Sequence, residues 1–337
     1  MQQKRLDYLD MAKGIGIFLV ILGHIEYIQE DTLKWISSFH MPLFFVVGGI
    51  LARLKQGEKR SVFQSIESRV RGVLTPYLSF SLMLLTMNTI THLLNSEALS
   101  GAALARQYVD TFTGYGVHIL WFLPAYFIAG TLFAVLTGTC KEWQRNFLIV
   151  LLAAGAYGIS AGLGLDRYVT WECTLSTYLG YDILITVLRG VLAMPFLVMG
   201  WYMTRLPKGW WPALLLIPGS LLALRAPVFD LHYLYVHPVH YLNAFLCCAG
   251  LIALVKALPV SRVLSWLGRN SLVIMCTHAT FLVVYYVSLG MFFVKKWMPM
   301  SQPAFNLGVA ILVCAAEVPI AWIFNRWFGR LIGRSSK

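Results

Sequence analysis

The chain has 337 residues, 58% of them hydrophobic and only 12% charged, against roughly a quarter charged in an ordinary soluble domain. So much apolar surface cannot be hidden in one water-facing core, which leaves the bilayer as the solvent. The net charge of +12 is then mainly a topology signal, and nucleic-acid binding is excluded as its explanation.

The apolar stretches are too long for β-barrel strands, which need only about 10 alternating residues each. The mean hydropathy of +0.68, with 11 Trp and 16 Tyr, many of them near the ends of apolar runs, fits an all-α polytopic protein with interfacial aromatic belts. Runs long enough to cross the hydrocarbon core predict ten transmembrane helices, at 11–29, 39–54, 73–94, 117–137, 146–164, 181–203, 210–224, 240–257, 270–293 and 306–325. They form one integral-membrane domain over 1–337, with no internal repeat. The first run has no small-residue cleavage site, and Lys13 and His24 within it argue against a removable signal. Of the 27 Lys and Arg, 19 fall in one set of alternate segments, Lys4, Arg5, Lys59, Arg60, Arg145, Lys208 and Lys337 among them; six fall in the opposite set, which includes Arg167. The positive-inside rule then places both termini in the cytoplasm.

In chain order, the first helix carries two ionisable groups where lipid is expected. Lys13 and His24 are 11 residues apart, so on an ideal helix they lie within roughly 20° of one face and about 16 Å apart in height. An intramembrane ionisable group is a functional hypothesis. The same pair also fits a structural reading, with Lys13 snorkelling to the inner headgroups and His24 hydrogen-bonding within the packing. Gly14, Gly16 and Gly23 permit close approach of a neighbour. His40, beside Pro42 in FHMPLFF, is a titratable group at the outer mouth. Arg69 and Arg71, just before the third helix, suit phosphates, and they are equally what positive-inside sorting produces.

The fourth run opens with His118, Trp121 and Pro124. The outer loop from Asp230 adds His232, His237 and His240 among Tyr233, Tyr235 and Tyr241. An aromatic and polar surface that stacks a sugar accounts for these residues better than a metal, because no helical i,i+4 pair of ligands is present. The six Cys, with Cys173 in a predicted outer loop, have no spacing for a disulfide framework or metal centre, so no metal is expected. Asp182, Arg189 and Glu317 are further charges in or beside helices.

Four pieces in order, RLDYLDMAKG through LGH at 22–24, FHMPLFF with Gly48-Gly49, WFLP at 121–124, and LGRNSL at 267–272 ending in His278, resemble the membrane acyltransferase family 3. They are most similar to its fucose 4-O-acetylase-like branch. The resemblance implies a ten-helix core that moves acetyl from cytosolic acetyl-CoA, a co-substrate with no further cofactor, to a hydroxyl of a cell-surface glycan or its lipid-linked precursor. It implies an enzyme of the cell inner membrane with His24 as catalytic group. Lys13, Arg69 and Arg71 would be at the donor end, and His40, His118, Trp121, Asn270 and Ser271 would contact substrate. Imidazole suits the role of base because its unperturbed pKa of about 6.5 is close to neutral; an acetyl-histidine is the variant chemistry. A polytopic solute or glycan transporter using buried ionisable residues is the competing class.

Overall fold

The computed structural model describes residues 6–26, 28–56, 61–95, 99–165, 175–207 and 209–334. Lys4, Arg5, Lys59, Arg60, Arg167, Cys173, Lys208 and Lys337 lie outside them. The regular elements among the described residues are all helices. They are α1 (Asp7–Gly23), α2 (Glu30–Ser37), α3 (His40–Leu54), α4 (Val62–Arg69), a π-helical turn (Val70–Leu74), α5 (Thr75–Leu94), α6 (Gly101–Thr113), a 3-10 turn (His118–Trp121), α7 (Phe122–Thr139), α8 (Glu142–Leu163) and α9 (Leu175–Met203). A second 3-10 turn (Trp211–Leu215) leads into α10 (Leu216–Arg225), α11 (Pro238–Ala257), α12 (Arg262–Arg269), α13 (Ser271–Thr277), α14 (Val283–Trp297) and α15 (Gln302–Trp327).

Seven helical segments among these residues are long and apolar enough to cross a membrane: Glu30–Leu54, Val62–Leu94, Gly101–Thr139, Glu142–Leu163, Tyr178–Met203, Pro238–Ala257 and Gln302–Trp327. The chain is an all-α polytopic membrane protein. Most of the expected helices shift by a few residues at one or both ends, and in three of the expected runs the backbone turns away from the α-helix. The run expected at 11–29 is helical from Asp7 to Gly23, because His24 leaves helical geometry at φ −99°, ψ 3°. In the run expected at 117–137, His118 has φ +50° and α7 proper begins at Phe122. The run expected at 270–293 is broken between α13 and α14, with Leu282 at φ +60°. Hydropathy registers how apolar a segment is, and a break in an apolar segment leaves it unchanged.

The described chain packs as two compact units. The first holds residues up to 57, 196–230 and 237–326. Glycines in reciprocal pairs bring its helices to backbone contact: a Cβ at Gly14 would collide with the Leu264 carbonyl of α12, and one at Gly268 of α12 with the Asp10 carbonyl of α1. Gly49 of α3 meets the Leu197 carbonyl, and Gly200 meets that of Val46, in the same manner. Without a hydrophobic driving force between helices in lipid, such close packing is what holds them together. Trp35 of α2 donates to the Ser220 hydroxyl of α10 at 2.8 Å, which ties down the short helix before α3.

The second unit holds 58–195, 231–236 and 327–337. Ser61 caps α4 with a reciprocal bond to Gln64, and Gly114 ends α6 at φ +76°, a conformation that suits glycine. Arg145, read from the sequence as a loop charge, lies inside α8, 1% exposed. Its guanidinium sits over the Phe133 ring at 5.0 Å and donates to the Asn146 amide oxygen at 2.8 Å.

Candidate functional site

In the first unit, α1 runs unbroken through Lys13 and ends beside His24. The Nδ1 of His24 is 2.7 Å from the Val20 carbonyl oxygen. A carbonyl only accepts, so Nδ1 carries the hydrogen and the neutral ring keeps its lone pair on Nε2. His40, the first residue of α3, is held identically by the Ile36 carbonyl at 2.8 Å, and His278, after α13, by the Ile274 carbonyl at 2.7 Å. Three imidazoles are thus fixed in one tautomer by the carbonyl four residues earlier. His24 and His278 meet edge to face, with ring centroids 5.1 Å apart and planes at 82°, and His40 is within electrostatic reach of His24. Access separates them: His24 is exposed and His40 half-buried, while His278 is 0% exposed. Of the pair in ring contact, only His24 can meet a substrate.

Lys13 is half-buried and pairs with Asp10 at 2.8 Å, a partner the sequence motif contains but the spacing argument did not use. Asn270 stands at the corner between α12 and α13. Its amide donates to the Trp266 carbonyl at 2.9 Å and accepts from the Asn325 amide at 2.8 Å, so it is already engaged in holding that corner. Ser271 beside it is buried. Glu317 of α15, 0% exposed, accepts from the Thr277 hydroxyl at 2.7 Å. Sequence reasoning gave His278 no role of its own and left Glu317 as an unassigned charge. The signal for both was an ionisable group inside an apolar run, SLVIMCTH for one and VCAAEVP for the other.

In the second unit the two arginines taken together in the sequence have different surroundings. Arg69 lays its guanidinium against α7 at Gly130, where a Cβ would collide with Nη1, and Tyr126 is within electrostatic reach. Arg71, in the π-helical turn, is exposed and pairs with Glu67. Trp121 stacks on His232 with centroids 5.2 Å apart and planes at 27°. Arg189 lies over both Trp121, at 5.5 Å, and Tyr115, at 4.3 Å, and donates to the His232 carbonyl at 2.8 Å and the Tyr115 carbonyl at 2.7 Å. Nearby, Asp110 takes a hydrogen bond from Tyr178 and pairs with Arg106 at 3.3 Å. Arg106 also reaches Asp182 at 4.0 Å.

Of the three outer-loop histidines, His232 is the one stacked on Trp121, and burial, then the Arg189 charge, push its pKa down to about 3. His240 is paired through Nε2 with the Pro227 carbonyl at 2.9 Å and takes the His237 N–H on Nδ1 at 2.8 Å. Among the described residues no group of three His, Cys, Asp or Glu is placed to hold a metal ion.

The profile of a known protein family, described as an acyltransferase domain, matches residues 6–326, nearly the whole chain. The chain belongs to the acyltransferase 3 family. It is 30% identical over 141 residues to nodulation protein NolL of Mesorhizobium japonicum, a match that covers 38% of this chain and 35% of the relative. The chain therefore spans about a third of the length of that curated relative. No solved structure matches. As a member of the acyltransferase 3 family with helices long and apolar enough to cross a membrane, the chain is an integral membrane protein. The Nε2 lone pair of His24, on an accessible ring whose other nitrogen is already committed, can act as a general base.

Proposed function

We propose that this acyltransferase moves an acetyl group from cytosolic acetyl-CoA to a hydroxyl of a cell-surface glycan or its lipid-linked precursor, in the cell inner membrane. The observation that carries the chemistry is the fixed tautomer of the exposed His24, with Nδ1 bound to the Val20 carbonyl and Nε2 left as a base. The acceptor hydroxyl gives its proton to Nε2 as its oxygen attacks the thioester carbonyl carbon. The C–O bond forms, the C–S bond breaks, and the departing thiolate takes the proton from His24. Family membership supports acyl transfer; acetyl as the group and a glycan as the acceptor are this reading's own additions.

The donor-phosphate residues proposed are Lys13 in the first unit and, in the second, Arg69 with Arg71 at the surface. The seat of Arg69 against Gly130 favours it as the stronger of the two arginines, because a partly desolvated guanidinium attracts an anion more strongly than a water-exposed one. The acceptor contacts proposed are His40 in the first unit, with Asn270 and Ser271 at the corner between α12 and α13, and His118 with Trp121 in the second. The test is acetyl transfer from labelled acetyl-CoA by the purified protein. His24→Ala is expected to insert and bind CoA normally and to lose transfer by about 10²-fold or more, the usual scale for a positioned acid–base group. Near-normal transfer by that variant overturns the assignment.

A further inference from the structure

His278 is a costly residue where it stands. It is 0% exposed; its Nδ1 is bound to the Ile274 carbonyl, and its Nε2 is buried with no hydrogen-bond partner. An unmet buried polar atom lowers stability, and an apolar side chain of similar shape would remove that cost. Packing therefore does not explain an imidazole here. The ring packed against it is that of His24.

The turn that presents His278 is itself anchored. Thr277, the last residue of α13, donates to Glu317 of α15 at 2.7 Å, and both residues are 0% exposed. One helix thus fixes the backbone from which His278 projects, while α1 supplies the exposed partner ring. His40 on α3 is a further titratable group within reach of His24, and Cys276 and Cys314 are within electrostatic reach of Glu317.

We propose that His278 is a positioning residue for acyl transfer, a second imidazole packed against His24 whose unshared Nε2 lone pair stabilises the positive charge on the His24 ring while that ring holds the acceptor's proton. No bond is made to substrate by His278. The proton stays on His24 until the thiolate takes it, so the balance of the transfer step is unchanged. His278 holds the protonated ring in place and stabilises its charge, an interaction present in the transition state and absent from the resting neutral ring, which is the kind that raises turnover and leaves donor affinity alone. The inference rests on the acyl-transfer reading of His24.

The experiment compares His278→Phe, which keeps an aromatic ring and has no lone pair, with His278→Gln, which is a poorer shape match but offers an amide oxygen. Both are made in the full chain and scored for CoA binding, donor KM and kcat. The expected result is a fall in kcat on the order of tenfold or more for His278→Phe, with donor KM within about twofold and partial recovery in His278→Gln. In a His24→Ala background the His278→Phe change should cost nothing further, because residues acting as one unit are not additive. A packing role predicts the opposite ranking, with Phe better than Gln. That ranking, or an undiminished effect of His278→Phe in the His24→Ala background, overturns the proposal. If His278→Phe does not fold, His278→Leu takes its place in the same ranking. Should His24→Ala itself retain transfer, the acyl-transfer reading of His24 fails; loss in His24→Ala with the wrong ranking at His278 removes this inference alone.

Discussion

The contact of α1 with α12 gives a sharp test of how the site is held. A Cβ added at Gly268 would fall on the Asp10 carbonyl oxygen, far inside the 3.4 Å at which ordinary contact begins, so Gly268→Ala must part the helices by more than about 1 Å or distort one of them. The atom it meets is backbone and cannot swing aside. Overpacking of this kind costs about 1–3 kcal/mol, offset in part by the roughly 1 kcal/mol that alanine gains over glycine inside a helix. The consequence for function is larger. Asp10 pairs with Lys13 on the helix that ends at His24, and a displacement near 1 Å at a reacting group costs on the order of 10²-fold in rate. The assay is thermal unfolding in detergent beside the initial rate of acyl transfer. Gly155→Ala and Gly158→Ala on α8, where an added Cβ meets nothing within 4 Å, serve as controls and should leave both measurements unchanged or raise stability slightly. If Gly268→Ala matches those controls in stability and rate, the backbone contact between α1 and α12 does not position the site.

Other consequences follow from the same structure. Arg69→Ala should weaken CoA binding clearly more than Arg71→Ala, because the Arg71–Glu67 pair is solvent-exposed and such pairs contribute little; equal effects in an equilibrium binding measurement would count against the Gly130 seat. Lys13→Ala should impair donor binding with less effect on turnover at saturating donor, and Lys13→Arg should be tolerated, as read from donor KM and kcat. His232 is neutral over most of the working range, its pKa held near 3 against about 6.5 in the unfolded chain. Its contribution to stability is therefore fully present above about pH 6.5 and lost as pH falls toward 3. Unfolding scans across that window should show the decline, and His232→Phe should flatten it. Cysteine labelling should find Lys141→Cys accessible from the cytoplasmic side and Asp31→Cys from the opposite side; labelling of both from one side refutes the orientation drawn from the basic residues.

Composition, hydropathy and the spacing of basic residues were enough to make this an all-α membrane protein, because the cost of placing polar groups in lipid is met residue by residue along the chain. The motif order was enough to place it in its family, and Lys13 and His24 were legible as ionisable groups in an apolar run, open to a functional or a structural reading. Helix ends were less legible. An apolar run reads the same whether the backbone stays helical through it or turns at His24 or Leu282, since those turns are decided by what packs against the chain.

The Lys13–Asp10 pair is a local i,i+3 contact within α1, whereas only the tertiary structure divided Arg69 from Arg71 in surroundings and set His278 against His24. The last two residues are separated by 254 positions in the sequence, and their ring contact exists only because α13 packs against α1. The tautomer of each histidine was likewise beyond the sequence. It depends on which nitrogen finds a carbonyl oxygen, and that is a matter of angles and distances that the helix ends create.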